Sequence, residues 1–122
     1  MPMHKSRDFR NLQVWQKAHA LALRVYERTG EFPRAEMFGL TSQMRRAAVS
    51  IPANMAEGCG RGSPSEVARF MDIAHGSSSE LSYYFILARD LNYVNADEAD
   101  LLDSAVSEVK RMLAAYTNRI RG

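Results

Sequence analysis

The residues best suited to acid–base or nucleophilic chemistry in this sequence are one histidine and one cysteine. Asp72 lies three residues before His75, so on a helix the carboxylate could orient the imidazole as a general base. Cys59 lies in a glycine-rich segment two residues before Arg61, whose charge would lower the pKa of an exposed thiol. Neither group has a convincing second partner, and an ordinary surface pair is the commoner role of such a spacing. We therefore expect a protein that is not an enzyme and has no catalytic residue.

Metal and cofactor sites are not predicted either. One cysteine and three scattered histidines do not give the cysteine spacing or the Glu-x-x-His spacing of metal-binding proteins. The segment GCGRG (58–62) follows a predicted helix rather than a strand, so it is not a dinucleotide-binding fingerprint. The lone cysteine, the absence of an apolar signal segment and the absence of a run of 18 apolar residues predict a cytoplasmic protein without a membrane span.

Basic side chains are the second group that can do chemistry, because they bind phosphates. In an antiparallel helical bundle, the start of the first helix, the turn between the second and third, and the end of the fourth share one pole. Ten basic and five acidic side chains belong to it, a balance of +5. This basic pole predicts binding to the backbone of RNA or DNA without sequence specificity, since no base-reading motif is present. Its basic members are Lys5, Arg7, Arg10, Lys17, Arg61, Arg69, Lys110, Arg111, Arg119 and Arg121.

Simpler explanations of this charge pattern stay open. The fourth helix begins with acidic and ends with basic residues, as the helix dipole favours. The turn GCGRG could offer backbone amides and Arg61 to a phosphate at the start of the third helix. Glycine-rich turns, however, more often serve backbone geometry alone.

A row of polar residues lies in the stretch QMRRAAVSIPANMAEG (43–58), at steps of three and four that place it on one helix face. Four of the residues between are alanines, at 47, 48, 53 and 56, and the third helix has GSSSE (76–80) near its middle. We expect a tight crossing of these two helices with an ion pair between Arg46 and Glu80, although a solvated face would show the same spacing. The predicted structural polar core is Gln43, Arg46, Ser50, Asn54, Glu57, Ser77 and Glu80.

Four segments of helical period position these groups, at about 11–29, 35–57, 64–94 and 96–121. Ser63 and Asn95 are predicted to cap the third and fourth helices, and Gly30 is predicted to end the first in a left-handed conformation. Short connections between long amphipathic helices favour antiparallel neighbours. The expected fold is all-α, an antiparallel up-down-up-down four-helix bundle in a single domain (1–122), with residues 1–8 loose.

The chain also resembles a known bacterial family through FRNLQVWQKA (9–18), QMRRAAVSIPANMAEGCGR (43–61) and AHGSSSEL (74–81). The family is named for a protein encoded in intervening sequences of 23S ribosomal RNA genes. The resemblance implies a four-helix bundle that assembles as a ring, typically a homopentamer. A related branch, the accessory protein of diversity-generating retroelements, binds nucleic acid through basic surfaces and partners a reverse transcriptase. By that analogy, RNA or DNA and a reverse transcriptase are the expected partners besides the chain itself.

Aromatic residues exceed what one small bundle needs in its core. Tyr83, Tyr84 and Phe85 are consecutive and cannot all face the same side of a helix. Together with Trp15 and Tyr26 they predict an apolar surface for contact between subunits. The alternative function is therefore a protein-interaction scaffold with no nucleic-acid role.

Overall fold

The computed structural model describes residues 8–122, and in that range it contains helices and no strand. The predicted all-α fold is confirmed. Lys5 and Arg7 of the basic pole, and nearly all of the predicted loose segment, lie outside the described residues. The helices are α1 (Gln13–Thr29), α2 (Leu40–Cys59), α3 (Pro64–Asp90) and α4 (Ala96–Arg121), and two short 3₁₀ turns cover Phe9–Asn11 and Arg34–Glu36.

The helices pack as four antiparallel neighbours in the order α1, α2, α3, α4. Trp15, near the start of α1, donates to the carbonyl of Pro52 in the second half of α2 at 3.2 Å. Arg45, in the first half of α2, donates to the hydroxyl of Thr29 at the end of α1 at 2.9 Å. The contact between two neighbouring helices is called a seam below, and the other three seams are also antiparallel. The α2–α3 seam has the pairs Gln43–Tyr84 and Ser50–Ser77, and the α3–α4 seam has Asp72–Arg121 and a cleft lined by Ile86 and Asp100. The α4–α1 seam has the pairs Lys17–Glu108 and Arg24–Glu98.

One apolar core fills the space between the four helices. Met44, Ile51 and Met55 of α2 and Met71 of α3 are fully buried, and Phe85 is 2% exposed. Along each helix these residues are four, seven or fourteen positions apart, which is close to whole helical turns, so each helix turns one stripe inward. Full burial of a side chain of this size stabilises the fold by about 1.5–3 kcal/mol.

The predicted caps of α3 and α4 are present. The Ser63 hydroxyl accepts the N–H of Glu66 at 3.3 Å, and Pro64 occupies the first helical position. The Asn95 side chain accepts the N–H of Glu98 at 2.8 Å. Each cap satisfies a backbone donor that the first turn of a helix leaves without an internal partner.

The second helix begins later than the predicted residue 35. Arg34–Glu36 form a 3₁₀ turn instead, and Gly39, with φ −114° and ψ −116°, separates that turn from α2. The Glu36 carboxylate accepts the N–H of Leu40 at 3.0 Å and the hydroxyl of Tyr93 at 2.8 Å. These two hydrogen bonds, the one from Leu40 first, lower the pKa of Glu36 from its ordinary value. A side chain from the preceding turn therefore caps α2.

Asn92 ends α3 in the left-handed conformation, and Gly30 does not adopt that conformation at the end of α1. Gly30 has φ −61°, so its predicted left-handed conformation is wrong. Asn92 has φ 65°, and the N–H groups of Asn92 and Tyr93 donate to the carbonyls of Arg89 and Ala88, both at 2.9 Å. This pattern is the Schellman motif, and it ends α3 before the predicted residue 94.

Candidate nucleic-acid interface

The basic pole is assembled by the antiparallel order of the helices. Leu12, before α1, and Tyr116, near the end of α4, line the same surface depression. Gly58, near the end of α2, lies against Phe70 in the first turns of α3. The start of α1, the α2–α3 turn and the end of α4 therefore lie together, and eight of the ten predicted basic residues are in the described range.

Five of those eight side chains are engaged with carboxylates on the same pole. Arg61 pairs with Glu57 at 2.7 Å. Arg121 donates from two nitrogens to Asp72 and lowers the pKa of that carboxyl from its ordinary value. Such surface pairs are worth little to stability, but they offset the charge available to a phosphate. The remaining pairs are Arg10–Asp8 at 2.9 Å, Lys17–Glu108 at 3.3 Å and Arg69–Glu66 at 3.5 Å.

Lys110, Arg111 and Arg119 of α4 form no ion pair within residues 8–122. At 100° per residue, Arg111 points away from the buried stripe of α4. Lys110 and Arg119 lie on either side of Arg111, about 180° apart around the helix axis, so the three cations span the solvent-facing half of the helix. Arg111 and Arg119 are exposed, Lys110 is half-buried, and the exposed residues between them include the small Ala114 and Ala115. Lys110, Arg111 and Arg119 are called the α4 basic face below.

The glycine-rich turn offers less to an anion than its sequence indicated. The N–H groups of Gly60 and Arg61 donate to the carbonyls of Glu57 and Gly58 at 3.1 and 2.9 Å. The Arg61 guanidinium pairs with Glu57 and lies 4.8 Å from the centre of the Phe70 ring. These donors serve the end of α2 and the α2–α3 contact, so the structure does not favour a phosphate site in this turn.

Both candidates for catalytic chemistry are placed unfavourably. Cys59 is fully buried at the end of α2, so its thiol lacks the exposure that nucleophilic chemistry would need. Asp72 accepts hydrogen bonds from Arg121, not from His75, in a shallow depression of about 180 Å³ that Asn118 also lines. In the range 8–122, no group of three or more His, Cys, Asp or Glu side chains could hold a metal ion.

The centre of the predicted polar core is a small hydrogen-bonded group at the α2–α3 seam. The hydroxyl oxygens of Ser50 and Ser77 are 2.8 Å apart. The Asn54 amide donates to the carbonyl of Ser50 at 2.8 Å and to its hydroxyl at 2.9 Å. All three residues are half-buried, so this group lies between the helices at the border of solvent.

The expected ion pair between Arg46 and Glu80 is not formed, which corrects the sequence interpretation. Glu80 instead accepts the hydroxyl proton of Tyr84 at 2.6 Å, and this hydrogen bond is the main reason that the pKa of Tyr84 is raised. Arg46 and Glu80 are exposed, as are Gln43 and Glu57, so in a single chain none of the four belongs to a buried core. Side chains as small as serine fit between α2 and α3 here, and the longer side chains lie at the edge of the contact.

A surface groove on α2 was not recognised from the sequence. Phe38 is 96% exposed and Met37 is 48% exposed. With Tyr26 and Val49 they line an open groove of about 590 Å³ that Arg46 borders. In the sequence, the dipeptide Phe38-Gly39 could have indicated this groove, because a glycine before α2 interrupts the helix that would have turned Met37 inward.

The fold and the charged residues thus define the class of this protein as an all-α four-helix bundle with a basic pole. The family model of the 23S rRNA-intervening sequence protein matches residues 10–115, and the chain belongs to that family. The fold is similar to a crystal structure of a protein with unknown function from the S23 ribosomal protein family of Bacteroides thetaiotaomicron VPI-5482. The two share 20% sequence identity with a TM-score of 0.80, over 86% of this chain and 95% of the other. No curated protein matches the chain.

Neither of these two descriptions states an enzymatic activity. The similarity to the solved structure is evidence for the fold alone, because the identity is low. Among the helices in the described range, none is both long and apolar enough to span a bilayer.

Proposed function

We propose that this protein is a non-enzymatic, ring-forming bundle that binds the phosphate backbone of RNA or DNA through the α4 basic face, without sequence specificity. The observation that carries the proposal is that Lys110, Arg111 and Arg119 have no ion-pair partner within residues 8–122, whereas five other cations of the pole do. The family name, which refers to an intervening sequence of 23S rRNA, supports RNA as the first ligand to test. The single cysteine fits the expected cytoplasmic location.

Binding would follow from Coulombic attraction and counterion release. The positions of Arg111 and Arg119 on α4 are about 12 Å apart along the helix axis, so they can contact different phosphates of one strand. The alanines between them leave room for the backbone of a nucleic acid. In a homopentamer, which the family resemblance implies, several copies of this face would act on one nucleic acid and raise its overall affinity.

A salt titration with labelled single-stranded RNA and duplex DNA tests the proposal. We expect log K to fall linearly with log salt, at about 0.7–0.9 per phosphate contact. Replacing Lys110, Arg111 and Arg119 together by alanine should reduce that slope by about 2 and weaken binding to all sequences alike.

The control is Arg24→Ala/Arg34→Ala, which removes two exposed cations from the opposite pole. It should bind with nearly the same slope as the unchanged protein. The proposal is wrong if nothing binds at low salt, or if the control and the α4 variant lose binding equally.

A protein-interaction scaffold is the second candidate function, and the exposure of Phe38 favours it. A reverse transcriptase is the partner that the family resemblance suggests. Nuclease-treated purification distinguishes the two functions, because a scaffold retains its partner after nucleic acid is removed. Recovery of the chain alone, with or without nuclease, would count against the scaffold.

A further inference from the structure

The groove on α2 that Tyr26, Met37, Phe38 and Val49 line, called the α2 groove below, exposes much apolar surface in the single chain. Phe38 is almost entirely exposed, and Tyr26, Met37 and Val49 around it are each more than two-fifths exposed. Contiguous apolar side chains of this kind mark interaction surfaces. Arg46, also exposed, stands at the border of the groove with no ion pair inside the described range. An occupant of this groove should therefore be apolar with an acidic flank.

The same chain carries a surface of that description between α3 and α4. Ile86 is 55% exposed and borders a cleft of about 240 Å³ with Asp100, Asp103 and the exposed Arg89, so the cleft has two acidic groups against one basic group. Neither aspartate has an ion-pair partner in residues 8–122. Ile86, Asp100 and Asp103 are called the α3–α4 cleft below.

The two surfaces lie on opposite edges of the bundle and near the same pole. Most of the groove lies on the outer side of α2, with Tyr26 at its α1 edge and Ser50 at its α3 edge, and α2 is diagonally opposite to α4 in the cyclic order. The hydrogen bond from Tyr93 to Glu36 joins the end of α3 to the turn before α2, so the groove and the cleft are at a similar height. Two copies placed side by side with parallel axes would bring the groove of one against the cleft of the next.

We infer that the α2 groove binds the α3–α4 cleft of a second copy of this chain. Phe38 and Met37 would cover Ile86, and Arg46 would pair with Asp100 and Asp103. Such a contact is heterologous, because it uses two different surfaces, and its repetition closes a ring when the rotation permits. The inference rests on the ring-forming part of the proposed function, and it names the surfaces that would join the subunits.

Two variants, one for each surface, test this assignment by sedimentation velocity and native mass spectrometry. The groove variant is Phe38→Ser/Arg46→Glu, and the cleft variant is Ile86→Ser/Asp103→Lys. Each should weaken self-association by about 30-fold or more, as loss of a central contact does. Mixing the two should give one-to-one dimers and nothing larger, because only one intact groove and one intact cleft remain.

A charge exchange and a matched control complete the experiment. Asp100→Arg/Asp103→Arg should weaken assembly, and adding Arg46→Glu to the same chain should restore it. Leu23→Ser/Glu27→Lys changes exposed residues of α1 outside both surfaces and should assemble like the unchanged protein. Circular dichroism confirms that each variant is folded.

The alternative outcomes separate this inference from the proposal it rests on. Assembly that persists in both variants would overturn the named surfaces and leave the ring standing. Assembly lost only in the groove variant would indicate a symmetric groove-to-groove contact and also overturn the inference. A protein that is monomeric at every concentration would refute the ring and the inference together, while RNA binding by the monomer is measured separately.

Discussion

The α2–α3 seam and the α1–α4 seam are built in different ways. At the α2–α3 seam the backbones come close, and a Cβ atom added to Gly58 would lie 2.8 Å from the Cβ of Phe70. Ala48, Ala74 and Ser78 are fully buried. Small residues therefore set the separation of these two helices, and shape complementarity sets their register.

The α1–α4 seam is open by comparison. A groove of about 280 Å³ lies along it, with Ala20 and Ala105 in its lining. Long charged side chains bridge the seam, from Arg24 to Glu98 and from Lys17 to Glu108, both at 3.3 Å. Here solvent reaches the contact, and flexible ion pairs take the place of close packing.

The difference between the two seams indicates where substitutions should change the stability of the fold. A tight seam transmits each added atom to its neighbours, whereas a seam bridged by exposed ion pairs responds mainly to salt. The polar stretch of α2 therefore matters through its small residues and not through a buried arginine. Stability measurements on single seams can test this contrast at a fixed protein concentration, since self-association would shift the apparent stability.

The largest effect is expected from a pair of glycine-to-alanine substitutions. Gly58→Ala should lower the free energy of unfolding by about 1–2 kcal/mol, because the overpacking at Phe70 exceeds the gain in helix propensity. Gly76→Ala, on α3 with open space around it, should raise that free energy by about 0.5–1 kcal/mol. Urea unfolding followed by circular dichroism measures both. Equal effects at the two glycines would show that the α2–α3 seam is not tight.

A smaller effect is expected at the hydrogen bond across the same seam. A double-mutant cycle with Ser50→Ala and Ser77→Ala should give a coupling free energy of about 1 kcal/mol, because the two hydroxyls are 2.8 Å apart. The coupling should hold in 1 M salt, since neither side chain is charged. Ser79→Ala, at an exposed position of α3, is the control and should change stability by less than about 0.5 kcal/mol. A coupling near zero would remove the specific role of the two serines.

A weaker, salt-dependent coupling is expected at the α1–α4 seam. The cycle Lys17→Met and Glu108→Gln should give about 0.2–1 kcal/mol at low ionic strength, because both side chains are partly exposed. At 1 M salt the coupling should fall toward zero as the charges are screened. A coupling that survives high salt would make the two seams alike and break the comparison.

The smallest effect is expected at the exposed pair between α3 and α4, and it depends on pH. Arg121 lowers the pKa of Asp72, so the pair stabilises the fold above the ordinary carboxyl pKa of about 4. That contribution is lost as pH falls through the lowered pKa, because the carboxylate becomes protonated. Arg121→Gln should therefore reduce stability slightly at pH 7 and cease to differ from the unchanged protein once the pH is below the lowered pKa of Asp72. A difference that grows on acidification would contradict this assignment.

Predictions from local sequence succeeded where a short segment contains its own physical cause. Ser63 and Asn95 cap their helices because a side-chain oxygen and a backbone N–H three residues later always come within reach there. The end of α3 was predicted too late because Asn92 ends it, and asparagine takes the left-handed conformation at helix ends less often than glycine. The late start of α2 was missed because its cap, Glu36, belongs to a separate turn.

Periodicity and capping in the chain were sufficient for four helices, their antiparallel order and the end at which basic residues gather. The packing of the helices decided which charged side chains pair, because the partner of each cation depends on side chains that meet only when helices dock. Arg46 and Glu80 shared a plausible register, yet the close approach at Ser50 and Ser77 leaves them on the rim, where Glu80 bonds to Tyr84. The three cations of the α4 basic face and the exposed Phe38 were likewise visible only in the folded chain, because exposure and pairing are properties of the whole surface and not of the residue type.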